Sequence, residues 1–417
     1  MGETSQSVFR GRILTPIDGT AEIQFLEDAL MFVDDRGKIT AVKPYSAESV
    51  GDATVHDVRP WVISPGFVDA HLHYPQIRVI GSASGPLMEW LDYTVFPEES
   101  RFVDGDYARV VARELVERFV AVGTTTAVLY SSSSPTATRV LFETLAKSGL
   151  RAIAGLTLMD QNCPSTVCVS AETALEAVRE LAAAYHGYDN GRLAFAITPR
   201  FAPTCSRTLL EQAAQLASDQ NLYVQTHISE NSREVFVALE VHPWARDYLD
   251  VYESTGLLGS RTLLAHAIHL SSLEWDRVRM RDARIVHCPD SNFFLGSGHH
   301  PLTEPESRGI PVALGTDVAA GRTFDVRRIM SSAYDNALCL GNQVLPEKLF
   351  RLGTLGGAEA IGLGKVIGSL EPGKEADFCL IDVPAHVQVL ADVLSRIVFS
   401  SDTTPVRGTY VRGKRLD

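Results

Sequence analysis

The sequence has no excess of positive charge and no long hydrophobic run. Its 38 lysines and arginines stand against 51 aspartates and glutamates, which gives a formal net charge of -13. Nucleic acid and anionic membranes attract proteins through a positive field, so this balance argues against both as partners. No apolar run reaches the roughly 18 residues of a membrane span, and the first residues lack the apolar core of a signal peptide.

Cysteine is also scarce, and its spacing suggests no disulfide framework. The six cysteines stand at positions 163, 168, 205, 288, 339 and 379. Cysteines scattered in this way are most simply reduced thiols, which predicts a cytoplasmic protein. Hydrophobic residues make up 45% of the chain and charged residues 21%, values that are typical of a globular protein.

The chain is predicted to consist of a barrel flanked by two β-rich ends. Residues 1–64 alternate short β-rich runs with turns such as Asp34–Gly37, and residues 366–417 return to the same character. We expect these two ends to combine into one small β-sandwich. Across residues 65–365, short apolar runs alternate with helical stretches, as in βα units.

Eight apolar runs in this central region predict barrel strands. They begin at Gly66, Thr124, Arg151, Leu193, Leu222, Thr262, Arg284 and Pro311. Eight strand–helix units over about 300 residues are typical of a (β/α)8 TIM barrel, an α/β fold. Two helices have recognisable ends: one over Tyr107–Val122 with Gly123 as its stop, and one that begins after Ser206 as N-cap.

Polar and ionisable side chains collect where the predicted strands end. Barrel enzymes build their active sites at this face of the barrel. His71 and His73 are two residues apart on one strand and therefore point to the same side. Further candidates at strand ends are Arg200, His227, Glu230, His266, His287 and Asp317. Packing in the core could explain a single buried histidine at one strand end. It does not explain ionisable groups at so many strand ends, whereas a metal site does.

Four of these groups suit metal ligation: His71, His73, His227 and Asp317. Imidazole nitrogens with one carboxylate oxygen favour zinc, although iron and manganese remain alternatives on ligand type. The fourth predicted strand ends in "ITPRF", without a lysine that a carboxyl group would convert into a bridge between two metals. We therefore expect one metal ion per chain.

Three other strand-end residues are candidates for a role in the site. Glu230 follows His227 by three residues and is the predicted general acid and base, the alternative being a solvated loop residue. His266 is predicted to orient the water or polarise the electrophile, the alternative being structural packing. The role of His287 stays open. The remaining histidines considered, His269, His299 and His300, are predicted to be surface or loop residues without a role.

Motifs along nearly the whole chain resemble the amidohydrolase superfamily and, within it, the guanine deaminases. The "HLH", "HISE", "GTD" and "LEPGKEADF" elements are general to the superfamily. "HYPQ", "EWLDYTVFPEESRF" and "TPRF" are much more specific to guanine deaminases. Two segments, residues 82–91 and 159–172, depart from the family pattern, and we expect both to border the pocket.

The resemblance implies a complete site. Zinc, one ion per chain, would be held by His71, His73, His227 and Asp317. Asp317 and Glu230 would move protons, and His266 would lie beside the activated water. Gln76, Arg200 and Phe201 would bind the purine base; a loop role for Gln76 and an ion-pair role for Arg200 are the alternatives. The implied reaction, a step of purine catabolism, converts guanine and water into xanthine and ammonia. A homodimer is also implied.

Other functions remain as alternatives. A related enzyme of the same type would deaminate a pterin, an aminotriazine or an oxidised purine. More distant readings are a catalytically inactive scaffold barrel and a purine-binding module without turnover. Both predict lost metal ligands, whereas the full set and Glu230 are present.

Overall fold

The computed structural model describes residues 7–50, 54–83 and 85–417. Its strands are β1 (Ser7–Pro16), β2 (Ile23–Val33), β3 (Ile39–Pro44), β4 (Thr54–Pro65), β5 (Phe67–His73), β6 (Thr124–Tyr130), β7 (Arg151–Gly155), β8 (Thr157–Leu158), β9 (Leu193–Pro199), β10 (Tyr223–Ile228), β11 (Thr262–His266), β12 (Arg284–His287), β13 (Val312–Leu314), β14 (Phe378–Ile381), β15 (Val406–Val411) and β16 (Lys414–Arg415).

Its α-helices are α1 (Leu87–Trp90), α2 (Phe96–Glu99), α3 (Gly105–Val122), α4 (Pro135–Ser148), α5 (Ala171–Tyr185), α6 (Tyr188–Gly191), α7 (Arg207–Gln220), α8 (Ser232–Val241), α9 (Tyr248–Ser254), α10 (Ser272–Met280), α11 (Pro289–Phe294), α12 (Thr303–Ser307), α13 (Val326–Cys339), α14 (Pro346–Leu352), α15 (Leu355–Ala360) and α16 (Leu390–Phe399). A π-helical turn over Leu91–Val95 joins α1 to α2. No helix in the described ranges is long and apolar enough to span a bilayer.

The two ends of the chain combine into one β unit, as predicted. Hydrogen bonds connect seven strands in the order β16-β15-β14-β4-β1-β2-β3. β1 runs parallel to β4 and antiparallel to β2, and β14 joins the C-terminal strands to β4. The predicted turn between β2 and β3 is present, with the Asp34 carboxylate accepting from the Lys38 backbone N–H at 2.8 Å.

The predicted barrel is confirmed, strand for strand. Parallel strands follow the order β5-β6-β7-β9-β10-β11-β12-β13, and β8 continues the line of β7 and pairs with β9. The two ends of this sheet meet, because the Asp317 N–H donates to the His71 carbonyl at 2.8 Å and the His73 N–H donates to the Val318 carbonyl at 3.0 Å. The first and last strands therefore bring their C-terminal residues together.

The two helix ends predicted from sequence are also confirmed. Helix α3 begins two residues earlier than predicted, at Gly105, where the Asp104 carboxylate caps it. It ends at Gly123, whose φ of 80° favours glycine. Helix α7 begins after Ser206, whose hydroxyl accepts from the Leu209 N–H.

The β unit is tied to the barrel by a buried charge cluster. Arg151, at the start of β7, donates from Nε to Asp377 at 3.0 Å and also pairs with Glu375. Side-chain exposure is 2% for Arg151 and 1% for Asp377. This cluster lies at the N-terminal end of a barrel strand, on the side opposite to the strand ends that carry the site.

Candidate active site

The four predicted metal ligands converge in the structure. The Nε2 atoms of His71 and His73 lie 3.2 Å and 3.4 Å from one carboxylate oxygen of Asp317. The Nε2 atoms of His73 and His227 are 3.1 Å apart. Ligand atoms of all four side chains lie within 4.8 Å of one another, and all four side chains are buried. Ends of β5, β10 and β13 supply them, so barrel closure builds the group.

The protonation states of these four side chains are suited to binding a metal cation. The Nδ1 of His227 faces the Arg200 carbonyl at 2.6 Å, and a carbonyl only accepts, so Nδ1 carries the proton and Nε2 is free to bind a metal. Burial lowers the pKa of His73 to about 4 and that of His227 well below its usual value. Burial alone would raise the pKa of Asp317, but its contacts with His71 and His73 hold it well below the usual range. Neutral imidazoles and a carboxylate are what a zinc-type ion requires.

Next to this group, Glu230 and His266 form an acid–base pair. Glu230 Oε2 lies 3.6 Å from His266 Nε2, which is also 3.7 Å from Asp317 Oδ2. The Ser297 hydroxyl donates to Glu230 Oε1 at 3.3 Å. Burial, and then the charge of Asp317, raise the pKa of Glu230 well above its usual value. A carboxyl group with a raised pKa next to a carboxylate is suited to exchanging protons with a reacting molecule.

The chain turns sharply near the C-terminal ends of the strands that carry the site. Ser229, His266 and Asp317 have positive φ values of 48°, 71° and 49°. Left-handed backbone is uncommon for residues with a side chain and concentrates at functional sites. Here it turns the chain after β10, at the last residue of β11 and in the loop after β13, so that Glu230, His266 and Asp317 face the same space.

Opposite the acid–base pair is a wall of polar and aromatic side chains. Gln76 follows β5 in a short helical turn, and Arg200 and Phe201 follow β9. All three are buried, with exposures of 1%, 3% and 4%. Gln76 and Arg200 both bind the carboxylate of Glu99, a residue that the sequence prediction did not include. The ion pair considered for Arg200 is therefore present alongside its place in the wall.

Three members of the metal group, Glu230 and the polar wall open onto one pocket. Its lining residues are His73, Gln76, Leu87, Trp90, Leu91, Arg200, Phe201, His227, Glu230, Leu295, Asp317 and Ala320. Directional polar groups on one side and apolar surfaces around them are suited to a planar ring.

Comparisons with known proteins agree with this architecture. The family model described as "Amidohydrolase family" matches residues 62–416. The guanine deaminase of Escherichia coli (strain K12) is 35% identical over an alignment that covers 99% of this chain and 98% of the relative. The chain belongs to the amidohydrolase family.

Solved structures of similar sequence cover the whole amidohydrolase chain. The crystal structure of guanine deaminase from Bradyrhizobium japonicum is similar at a TM-score of 0.94 and 34% identity, covering 99% of each chain. Guanine deaminase from C. acetobutylicum, solved with bound guanine in the active site, has a TM-score of 0.93 and 30% identity. The match covers 99% of this chain and 100% of that one.

Two expectations for the outer parts of this amidohydrolase need correction. His300 was expected at the surface but is buried: its Nδ1 faces the His266 carbonyl at 2.8 Å and its ring stacks on that of His287. Of the two segments expected to border the pocket, only residues 82–91 contribute lining residues. In the segment 159–172, Asp160 instead accepts from the Ser206 N–H at 2.7 Å, and this segment supplies none of the lining residues.

Three contributors to the amidohydrolase site were missed. Glu99 binds two wall residues, Asn292 faces His266 Nδ1 at 3.0 Å, and the buried ring of Tyr130 packs 4.6 Å from that of His73. Glu99 lies inside the specific "FPEESRF" motif, and Asn292 lies in "HCPDSN". The position of Glu99 inside a motif specific to guanine deaminases was therefore an available signal. Nothing local marks Tyr130, whose strand is buried throughout.

Proposed function

We propose that this amidohydrolase is a guanine deaminase, which converts guanine and water into xanthine and ammonia. The observation that carries the proposal is one pocket lined by metal-ligand side chains, by Glu230 and by the Gln76–Arg200 wall. Full-length similarity to guanine deaminases, one of them solved with guanine in its active site, supports the same substrate.

One zinc ion per chain is the proposed cofactor. His71, His73, His227 and Asp317 would hold it, and the tautomer of His227 supports this assignment. A bound zinc would supply a water with a lowered pKa, able to attack carbon at neutral pH.

The chain's own residues account for the proton movements. Glu230 takes a proton from the attacking water and delivers it to ring N3, which makes C2 electrophilic. Its raised pKa lets it hold this proton between the two transfers. The water oxygen bonds to C2, and Asp317 or Glu230 then takes the remaining proton of that oxygen and passes it to the amino group on C2. The C2–N bond breaks, ammonia leaves and C2 keeps the oxygen as a carbonyl. His266 Nε2, which lies between the two carboxyl groups, accepts a hydrogen bond from the attacking water and orients it.

The proposed substrate contacts are made by the wall residues Gln76, Arg200 and Phe201. Arg200 offers guanidinium donors to a carbonyl oxygen or ring nitrogen, and Gln76 offers a directional amide. Phe201 provides an aromatic surface for the ring. These contacts place C2 toward the metal group, on the side of the pocket where Glu230 lies.

The experiment is ammonia release from guanine by the zinc-loaded protein, compared with the Glu230→Gln variant. We expect wild-type turnover and, in the variant, a loss of about 10²–10⁴-fold or more with zinc still bound. Near-normal turnover by the variant would contradict the role of Glu230. A panel of pterins, aminotriazines and 8-oxoguanine identifies the related ring if guanine is not a substrate. No turnover of any ring would favour a scaffold or a binding module.

Three further proposals concern the whole molecule. The domain division at residues 1–64, 65–365 and 366–417 is proposed to separate the β unit from the catalytic barrel. A homodimer and a cytoplasmic location are proposed from the resemblance and the thiols, all six of which are free. Light scattering tests the assembly, and cell fractionation tests the location.

A further inference from the structure

Glu99 is a buried carboxylate that holds two residues of the pocket wall. It ends helix α2, and its side chain is 1% exposed. Its Oε1 accepts from Gln76 Nε2 at 2.9 Å and from Arg200 Nη1 at 2.9 Å, and its Oε2 accepts from Arg200 Nη1 at 2.8 Å. Glu99 itself is absent from the residues that line the pocket.

We propose that Glu99 is a positioning residue that makes the pocket select a purine with a carbonyl at C6 over one with an amino group there. It acts through Gln76 and Arg200, whose donors and acceptors it locks in one arrangement. This inference rests on the proposed deamination of guanine and names a determinant of its substrate selectivity.

The amide of Gln76 cannot reverse while Glu99 is ionised. On one side the amide NH₂ meets a carboxylate, which only accepts; on the other, Gln76 Oε1 receives the Ala319 N–H at 3.4 Å. Reversal would set oxygen against oxygen at Glu99 and N–H against N–H at Ala319. An amide without such partners rotates to suit either hydrogen-bonding pattern, so the contacts from both sides remove that freedom.

Arg200 is held in the same way. Both oxygens of Glu99 engage its Nη1, which neutralises the buried charge and leaves the N–H groups on Nη2 and Nε for other partners. The guanidinium offers donors only, so it matches a ring carbonyl and opposes an amino group. Phe96, three residues before Glu99, packs under the guanidinium with its ring centre 5.3 Å away, so one helix fixes the group twice.

The probe that isolates this effect is 2,6-diaminopurine. It keeps the amino group on C2 that the reaction removes, but carries an amino group on C6 and an unprotonated N1. Its hydrogen-bonding pattern beside C2 is therefore the reverse of guanine's. Sites built to bind one pattern reject the other strongly, because buried partners are left unpaired.

The test compares kcat and KM for guanine and 2,6-diaminopurine in wild type, Glu99→Gln and Glu98→Gln. We expect Glu99→Gln to raise KM for guanine and to lower the guanine preference, as a ratio of kcat/KM values, by about tenfold or more, with zinc content unchanged. Glu98→Gln is the matched control, because the Glu98 carboxylate pairs with Arg101 and Tyr107 instead of the wall. We expect it to keep the wild-type preference.

A second variant keeps the inference testable if Glu99→Gln does not fold. The double variant Glu99→Gln/Gln76→Glu keeps one carboxylate and one amide beside Arg200, so the charge of Arg200 is still balanced. The carboxylate now stands at position 76 and the amide at position 99. We expect this folded double variant to have lost the guanine preference as well. Wild-type turnover of guanine with an unchanged preference in the Glu99 variants would overturn the inference alone. Absence of guanine turnover in wild type would overturn the proposed function instead.

Discussion

The Nδ1 atom of His266 lies 3.0 Å from the side-chain oxygen of Asn292. An amide oxygen only accepts, so His266 carries its proton on Nδ1 and turns Nε2 toward Glu230 and Asp317. Asn292 lies in helix α11, immediately after β12, so one barrel unit sets the tautomer of a residue on the neighbouring strand.

Replacing Asn292 should therefore impair catalysis without removing the metal. In Asn292→Leu the imidazole can carry its proton on either nitrogen, and we expect kcat to fall by roughly tenfold or more. Asn292→Asp retains an acceptor and should keep more of the activity. Steady-state kinetics with metal analysis checks both, and a fall in zinc content that matches the fall in kcat would contradict the tautomer argument.

Metal removal should weaken the barrel as well as abolish turnover. The four proposed ligands come from the ends of β5, β10 and β13, so a bound ion would join the first and last strands to a middle one. A ligand that binds only the folded state raises its stability. We expect chelation to lower the Tm and zinc to restore it, measured by calorimetry on the same sample.

The matched variants are His73→Ala and His299→Ala. The first removes a predicted ligand and should lose both the metal and the Tm response to zinc. The second removes an exposed imidazole outside the group and should keep both. An equal zinc content in the two variants would rule out His73 as a ligand.

Glu234 should make stability fall as pH rises. Burial raises its pKa to about 7, above its ordinary value of 4.5. Between these values the folded state holds a proton that the unfolded chain has lost, so the unfolding free energy decreases as pH increases. The total decrease approaches about 3 kcal/mol once pH exceeds the folded pKa, and it is absent below about pH 4.

Glu234→Gln removes this dependence while an amide oxygen can still accept from the Glu230 and Asn231 N–H groups. We expect the variant to gain stability relative to wild type as pH is raised from 5 to 8, measured by urea unfolding. Glu211→Gln, at an exposed ion pair with Arg207, is the control and should show no such trend. A constant difference between Glu234→Gln and wild type across this range would contradict the prediction.

The strand ends were predictable because their chemistry is local. A residue pair such as His71 and His73 shares a strand face, and the face of a barrel at which strands end is known from chain direction alone. Glu99 was not found in this way, because it meets Arg200 across 101 positions of sequence, and no local pattern shows which residue neutralises a buried charge. His300 was misplaced for the same reason. Its neighbours, Gly298 and His299, are typical of a loop, whereas its ring packs on residues from β12 and α10.

Arg151 provides the last prediction, since it joins the barrel to the β unit through charges that are almost fully buried. Removing one partner of such a pair leaves the other charge without compensation, so Arg151→Met should lower the unfolding free energy by roughly 3–5 kcal/mol. Arg407→Met, which breaks an exposed pair with Asp382, should change it by less than about 1 kcal/mol. Urea unfolding measures both. Because Arg151 lies at the opposite end of the barrel from the pocket, the kcat of the folded fraction should remain at the wild-type value. A variant with normal stability would show that the β unit and the barrel are held together by their apolar contacts instead.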